Sequence, residues 1–163
     1  MGNLQERSGI EEWIVGFTDG EGCFSVSIFR NKTTKIGWQV FPEFVITQGE
    51  KSLPALRIFE KHFGCGKTYK NKRYDNHNEH LYRYCVRSLN DLTGIIIPFF
   101  RRHSLYTSKQ KDFEIFADII EMMKKKKHTT LSGLRKIAKK VEQMNRKKAS
   151  NFLKSSEAIR CAS

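Results

Sequence analysis

IVGFTDGEG, residues Ile14 to Gly22, is the stretch on which the fold turns. Ile10, Trp13, Ile14 and Phe17 recur at helical spacing, so a helix is predicted from Ser8 or Gly9 to about Asp19, with Glu11 and Glu12 favoured in its first turn. Glycines at 16 and 20 interrupt that helix. A glycine in a helix interior costs about 1 kcal/mol relative to alanine, so two of them need a reason. One turn separates them, which places both on one side of the helix. Small residues there let a second backbone approach closely. No second Gly-aromatic-x-Asp-Gly-x-Gly run occurs in the chain. The expected partner is therefore the same helix of a second copy, paired about a twofold axis, with Trp13, Gly16, Phe17 and Gly20 at the interface. A helix-packing motif closed by an acidic cap is the plainer reading of the same spacing.

Each helix end would deliver Glu21 between two glycines. Two carboxylates close to a twofold axis repel unless a cation neutralises them. Carboxylate and backbone carbonyl oxygens suit a hard divalent ion such as Mg2+. Paired metal sites beside DNA would stabilise the attacking and leaving oxygens of a phosphodiester.

Beyond the helix the hydrophobic period changes from helical to alternating. Phe24, Val26 and Ile28 alternate with Ser25, Ser27 and Phe29, which predicts a half-buried strand. NKTTKIG forms a turn, and a second strand runs from about Trp38 to Thr47. Trp38, Val40, Phe44 and Ile46 take one face of it, and Gln39, Phe41, Glu43, Val45 and Thr47 the other. Ser52 and Pro54 open a helix that ends at Gly64. A second hairpin follows, with Lys67, Tyr69, Asn71 and Arg73 on one face of its first strand, a turn at DNHNE, and Arg83, Cys85 and Arg87 opposed to Tyr82, Tyr84 and Val86. Helices are predicted near 90–102, 108–124 and 130–146, the last with an apolar stripe of Leu131, Leu134, Ala138, Val141 and Met144. The order is αββαββα, an α+β domain over residues 1–150 with a flexible tail at 151–163. Four strands would make one antiparallel sheet with helices on one face, leaving the other face polar, aromatic and basic.

The charge fits a polyanionic partner. The chain has 163 residues and a net charge of +13. Residues 1–100 hold 13 basic and 11 acidic residues, whereas 101–148 hold 15 and 5. Contact with a nucleic-acid backbone and a solvated helix face both account for the second segment. Cys23, Cys65, Cys85 and Cys161 show no paired spacing, which argues against zinc and against a disulfide framework and for an intracellular setting. No apolar run reaches the roughly 18 residues of a membrane span, and MGNLQERSG lacks the apolar core of a signal peptide. HNEH, His77 to His80, falls in a predicted turn without partner ligands.

IVGFTDGEG resembles the signature of the LAGLIDADG homing endonucleases, in the form with one motif per chain. The αββαββα order over roughly 10–145, VITQ at the end of the second strand and SLYTSKQKDFEIF before a late helix extend the resemblance. It implies a homodimer whose saddle-shaped sheet covers the major groove of double-stranded DNA. It also implies Mg2+-dependent cutting of both strands of a long pseudo-palindromic site, with Mn2+ or Ca2+ able to replace Mg2+ in binding. Carried over, Glu21 is the metal ligand and Gly20 supplies a carbonyl ligand. Glutamate stands where the family more often has aspartate. Asp19 closes the helix end and supports the motif. Gln48 orders water around the site, and Lys109 stabilises the charged phosphate, with Lys111 a rival and Lys51 a further candidate. A metal-activated water would attack in line.

The outward sheet residues Ser25, Ser27, Phe29, Gln39, Glu43, Tyr69, Asn71, Arg73, Arg83 and Arg87 are the candidate base readers. Lys32, Lys35 and the helical lysines would hold phosphates. No small-molecule substrate or membrane contact is implied. The setting would be a bacterial cytoplasm or an organelle, and the size suits an intron-encoded, free-standing enzyme. An intron maturase, a regulator built on the same fold and a small RNA-binding protein are the alternatives. The regulator would have lost Glu21, Gln48 and Lys109.

Overall fold

A computed structural model describes residues 4–71, 79–144 and 151–155, with side chains from residue 9 onward. Helix α1 (Leu4–Glu21) passes directly into strand β1 (Gly22–Arg30). That junction needs a glycine, because a Cβ at Gly22 would lie 2.7 Å from Thr18 Cγ2 and 2.9 Å from the Thr18 carbonyl oxygen. Strand β2 (Trp38–Gly49) follows the turn, then α2 (Leu53–Phe63), β3 (Lys67–Asn71) and β4 (Leu81–Val86). Pro54 stands in the first turn of α2, and Gly64 ends the helix in the left-handed conformation, φ +63°, that favours glycine.

The rest is helical: α3 (Leu89–Asp91), a π-helical turn (Leu92–Ile96), α4 (Ile97–Arg102), α5 (Lys109–Lys124) and α6 (Leu131–Val141). The sheet order is β1-β2-β4-β3. In the antiparallel pairing Phe44 opposes Val86 and Gln48 opposes Tyr82, while Tyr69 of β3 opposes Arg83 of β4. This is the α+β architecture that the alternation predicted.

The chain divides into two compact units, Met1–Cys23 with Glu43–Gln110, and Phe24–Pro42 with Lys111–Ser163. In the first, Ile14, Phe44, Ile46, Leu56, Phe59, Tyr84 and Phe100 are wholly buried. Trp13 and Phe17 lie 5.5 and 5.6 Å from Phe59, ring centre to ring centre. In the second, Phe24 packs between Phe113 and Phe116 of α5, at 5.3 and 5.4 Å. Each such ring contributes about 1.5–3 kcal/mol by leaving water.

Several sequence expectations shift. Helix α1 begins at Leu4 rather than Ser8 or Gly9, and it runs on to Glu21. Its buried side is Ile14, Val15 and Thr18, and Trp13 and Phe17 are half-buried flanks. The 90–102 helix contains the π-turn, and α6 ends at Val141 rather than 146. The expected tail does not start at 151, because Phe152 is wholly buried with its ring edge-on to Trp38 at 5.2 Å. Arg73, most of the DNHNE turn, His77 and residues 156–163 lie outside the described residues. Among the described residues, no helix is long and apolar enough to cross a membrane.

Candidate active site and nucleic-acid interface

The end of α1 is held from the chain that precedes α5. The Asp19 carboxylate accepts hydrogen bonds from Tyr106 N–H (2.7 Å), Thr107 N–H (3.2 Å) and Thr107 Oγ1 (2.6 Å). Burial by itself raises the Asp19 pKa, but these bonds and the Lys109 charge outweigh it and hold the carboxyl below the ordinary value. Lys109 Nζ donates to the carbonyl oxygens of Thr18 (2.9 Å) and Asp19 (3.0 Å). These are the last-turn carbonyls that lack intrahelical partners, at the negative end of the helix dipole, where a cation is favoured.

The next two residues, Gly20 and Glu21, are exposed. Asp19 therefore supports the motif by anchoring the 106–107 segment, while Lys109 closes the helix end. Of the rival lysines, Lys109 is the one at the motif. Lys51 is exposed with its N–H on the Glu79 carboxylate, and Lys111 is exposed. Gln48 is half-buried near the end of β2, opposite Tyr82.

The donor chemistry suits a hard cation only in part. Glu21 offers a carboxylate and Gly20 a carbonyl, both oxygen ligands of the kind Mg2+ and Ca2+ take. Asp19 has its oxygens committed. Among the described residues, no three His, Cys, Asp or Glu side chains gather to hold a metal.

On the sheet face of the same unit, Glu43 corrects its sequence reading. It is 6% exposed. Its Oε1 accepts from Arg83 Nη2 at 2.8 Å, and its Oε2 accepts from Arg87 Nε. A carboxylate engaged in this way is not presented to a base edge. The hydrogen bond to Glu43 raises the Arg87 pKa further. The Arg87 guanidinium also lies 5.4 Å from the Tyr69 ring centre, and Tyr69 is 47% exposed. Asn71 is exposed at the end of β3.

In the other unit, the β1–β2 hairpin exposes Ser27, Phe29, Lys32 and Lys35, with Ser25 and Gln39 half-buried. Asn31 Nδ2 donates to Gln39 Oε1, and Asn31 Oδ1 accepts from Thr33 N–H at 3.0 Å. The amide of Gln39 is therefore set by the turn. Arg30 stacks over Trp38 at 4.3 Å. Sequence reasoning missed Arg30, Asn31, Tyr106 and Thr107. Only Asn31, at the head of a turn, carried a local signal for its role.

A helix that ends in an exposed acid beside a lysine-held turn, together with a sheet that bears arginines, defines an α+β domain. A family model described as LAGLIDADG endonuclease matches residues 14–120, and the chain belongs to that family. It is 36% identical over 133 residues to "Probable intron-encoded endonuclease 2" of Neurospora crassa, covering 82% of this chain and 28% of that protein. It is 31% identical to "Homing endonuclease I-ApeII" of Aeropyrum pernix, covering 73% of this chain and 67% of that protein. The crystal structure of the homing endonuclease I-TnaI superposes with a TM-score of 0.80 at 36% identity, over 93% of this chain and 97% of that one. The meganuclease I-SmaMI bound to uncleavable DNA gives 0.79 at 29% identity, over 85% of this chain and 45% of that one. The chain thus spans about a quarter of the Neurospora relative and about half of I-SmaMI.

Proposed function

We propose that this chain is a site-specific homing endonuclease that works as a homodimer and cuts both strands of a long pseudo-palindromic DNA site in a Mg2+-dependent reaction. The observation that carries the reading is the end of α1, where Glu21 stands exposed on a helix whose last carbonyls are held by Lys109. The relatives named as homing and intron-encoded endonucleases, and the I-SmaMI structure described as bound to its DNA target in the presence of calcium ions, support it.

Glu21 and the Gly20 carbonyl would hold the ion, which supplies charge stabilisation for the attacking and leaving phosphate oxygens. Lys109 has three N–H donors and gives two to carbonyls. The third is aimed at a phosphate, and the ammonium charge offsets the negative charge that develops there. The Gln48 amide orders solvent on the same side. The outward residues of β1, β2, β3 and β4 face the major groove, and Lys32 and Lys35 hold phosphates.

The second copy enters through α1. Outside its own stretch of helix, a Cβ placed on Gly16 or Gly20 meets no atom of the described residues within 4 Å, so both positions are open to a partner helix. That copy supplies the second Glu21 that one chain lacks. Relatives named for an ND4 intron and for Cox1 introns favour an organelle genome as the setting.

The test is selection of cut duplexes from a randomised pseudo-palindromic library with Mg2+. Double-strand cuts at one palindromic class of site, absent with EDTA, are expected. Tight binding with no cutting in any metal would overturn the nuclease in favour of a maturase or a non-catalytic binder.

A further inference from the structure

The Glu43 cluster is more than a general basic face, and a part for it in choosing the DNA site rests on the proposed endonuclease function. Val45 opposes Cys85 across the β2–β4 pair, and both are buried, at 6% and 3% exposure. Above this apolar floor, Glu43 bridges Arg83 of β4 and Arg87, which stands just past the end of that strand. Arg83 and Arg87 are four residues apart, which on an extended chain is about 13 Å. Their guanidinium groups nevertheless converge on the two oxygens of one carboxylate. Nitrogens hydrogen-bonded to the two oxygens of one carboxylate lie within about 8 Å of each other, since each sits about 3 Å from oxygens that are about 2 Å apart. That separation is nearer one or two base-pair steps than four.

Each guanidinium carries five N–H donors, more than one shared carboxylate can occupy. A cytosine amino group would have to displace an arginine to reach either Glu43 oxygen, and the Glu43 side chain is only 8% exposed. The Arg83 and Arg87 side chains are 35% and 40% exposed, so they are the groups presented outward. Arg87 is additionally confined by Tyr69 on one side and by Cys85 Sγ, which accepts from its Nη2 at 3.7 Å. The carboxylate also lowers the cost of holding two like charges so close together, which would otherwise splay the arginines apart.

We infer that Arg83 and Arg87 form one reading head, set by Glu43, that selects guanines at two neighbouring positions of each half-site. Glu43 is a positioning residue and touches no base. The chemistry follows from the fork of the guanidinium, which matches guanine O6 and N7 and gives roughly 10- to 100-fold discrimination against another base. Fixing both forks in advance removes the side-chain entropy that two free arginines would lose on binding.

The experiment is a base-preference profile of the full-length protein, from binding selection on a half-site-randomised duplex library in Ca2+. Wild type is compared with Arg83→Gln, Arg87→Lys and Glu43→Gln, each checked by thermal melt. Wild type is expected to show two guanine positions next to, or one step from, each other. Arg83→Gln should abolish one guanine preference and Arg87→Lys should weaken the other, each lowering affinity for the selected site by roughly the discrimination lost. Glu43→Gln should weaken both guanine preferences together and leave every other position unchanged.

The inference is overturned if Glu43→Gln alters a cytosine preference, which would make Glu43 a reader. It is also overturned if the arginine variants weaken all sequences equally, as phosphate contacts would. Arg87→Lys carries the test alone should Glu43→Gln fail to fold. Wild type that selects a site with no such guanine pair defeats the reading head alone. Wild type that selects no sequence at all defeats the endonuclease reading with it.

Discussion

Replacing Gly16 by alanine should stabilise the single chain and weaken the pair. Outside its own stretch of helix, a Cβ at Gly16 meets no atom of the described residues within 4 Å, and the residue lies inside an 18-residue helix. Within one chain the new methyl therefore only removes the glycine penalty, a gain of up to about 1 kcal/mol. For a domain of this size that is about 2–4 °C in melting temperature. In a dimer joined through α1, the same methyl enters a backbone-to-backbone contact and appears twice, once from each copy. Overpacking costs about 1–3 kcal/mol per site, so the pair should lose about 2 kcal/mol or more, at least a roughly 30-fold rise in the dimer Kd. Sedimentation equilibrium gives that constant, and thermal melts at concentrations below it give the monomer stability, so that the two effects are separated. Gly22→Ala is the contrast. Its Cβ would strike Thr18 Cγ2 and the Thr18 carbonyl, so it should lower the monomer melting temperature. A Gly16→Ala protein that is more stable and dimerises as tightly as wild type would refute the reasoning and place the dimer contact elsewhere.

Asp19→Asn should cost about 1 kcal/mol at neutral pH, since one amide oxygen replaces a carboxylate that accepts from Tyr106 and Thr107. The folded carboxyl titrates below its ordinary value, so its stabilisation is present above about pH 4 and is lost as pH falls through the folded pKa. Urea melts against pH should show the gap between wild type and variant closing in acid. Lys109→Met should leave DNA binding within a few-fold while slowing single-turnover cleavage about 100-fold. Phe152→Ala removes a wholly buried ring from Trp38 and should destabilise by about 3 kcal/mol, read by chemical denaturation.

The elements with strong local patterns were legible in advance. Strands β1 and β2 declared themselves through alternation, and α2 through Pro54 and Gly64. What failed depended on partners distant in sequence. Glu43 sits at an outward position of β2 and reads as a base contact, yet two arginines 40 and 44 residues away bury it. Phe152 stands in a polar stretch that suggests a tail, and its contact with Trp38, far upstream, has no local signal. Ser8 and Gly9 imitate a helix start, but the helix formers Leu4 to Arg7 extend α1 ahead of them. At the motif, the glycines turn out to differ: Gly16 and Gly20 face open space, whereas Gly22 answers to Thr18 within the chain. The bracing of α1 by Lys109 was not legible at all: the resemblance points to Lys109 only as a phosphate contact, and no local pattern joins residue 109 to residues 18 and 19.

The most direct measurement is single-turnover cleavage of the selected duplex in Mg2+ by wild type and by Glu21→Gln, with binding measured in parallel in Ca2+. Both strands should be cut by wild type, and Glu21→Gln should lose at least about 100-fold in rate while still binding the site. Cleavage by Glu21→Gln at the wild-type rate would contradict the account and move the chemistry away from the end of α1.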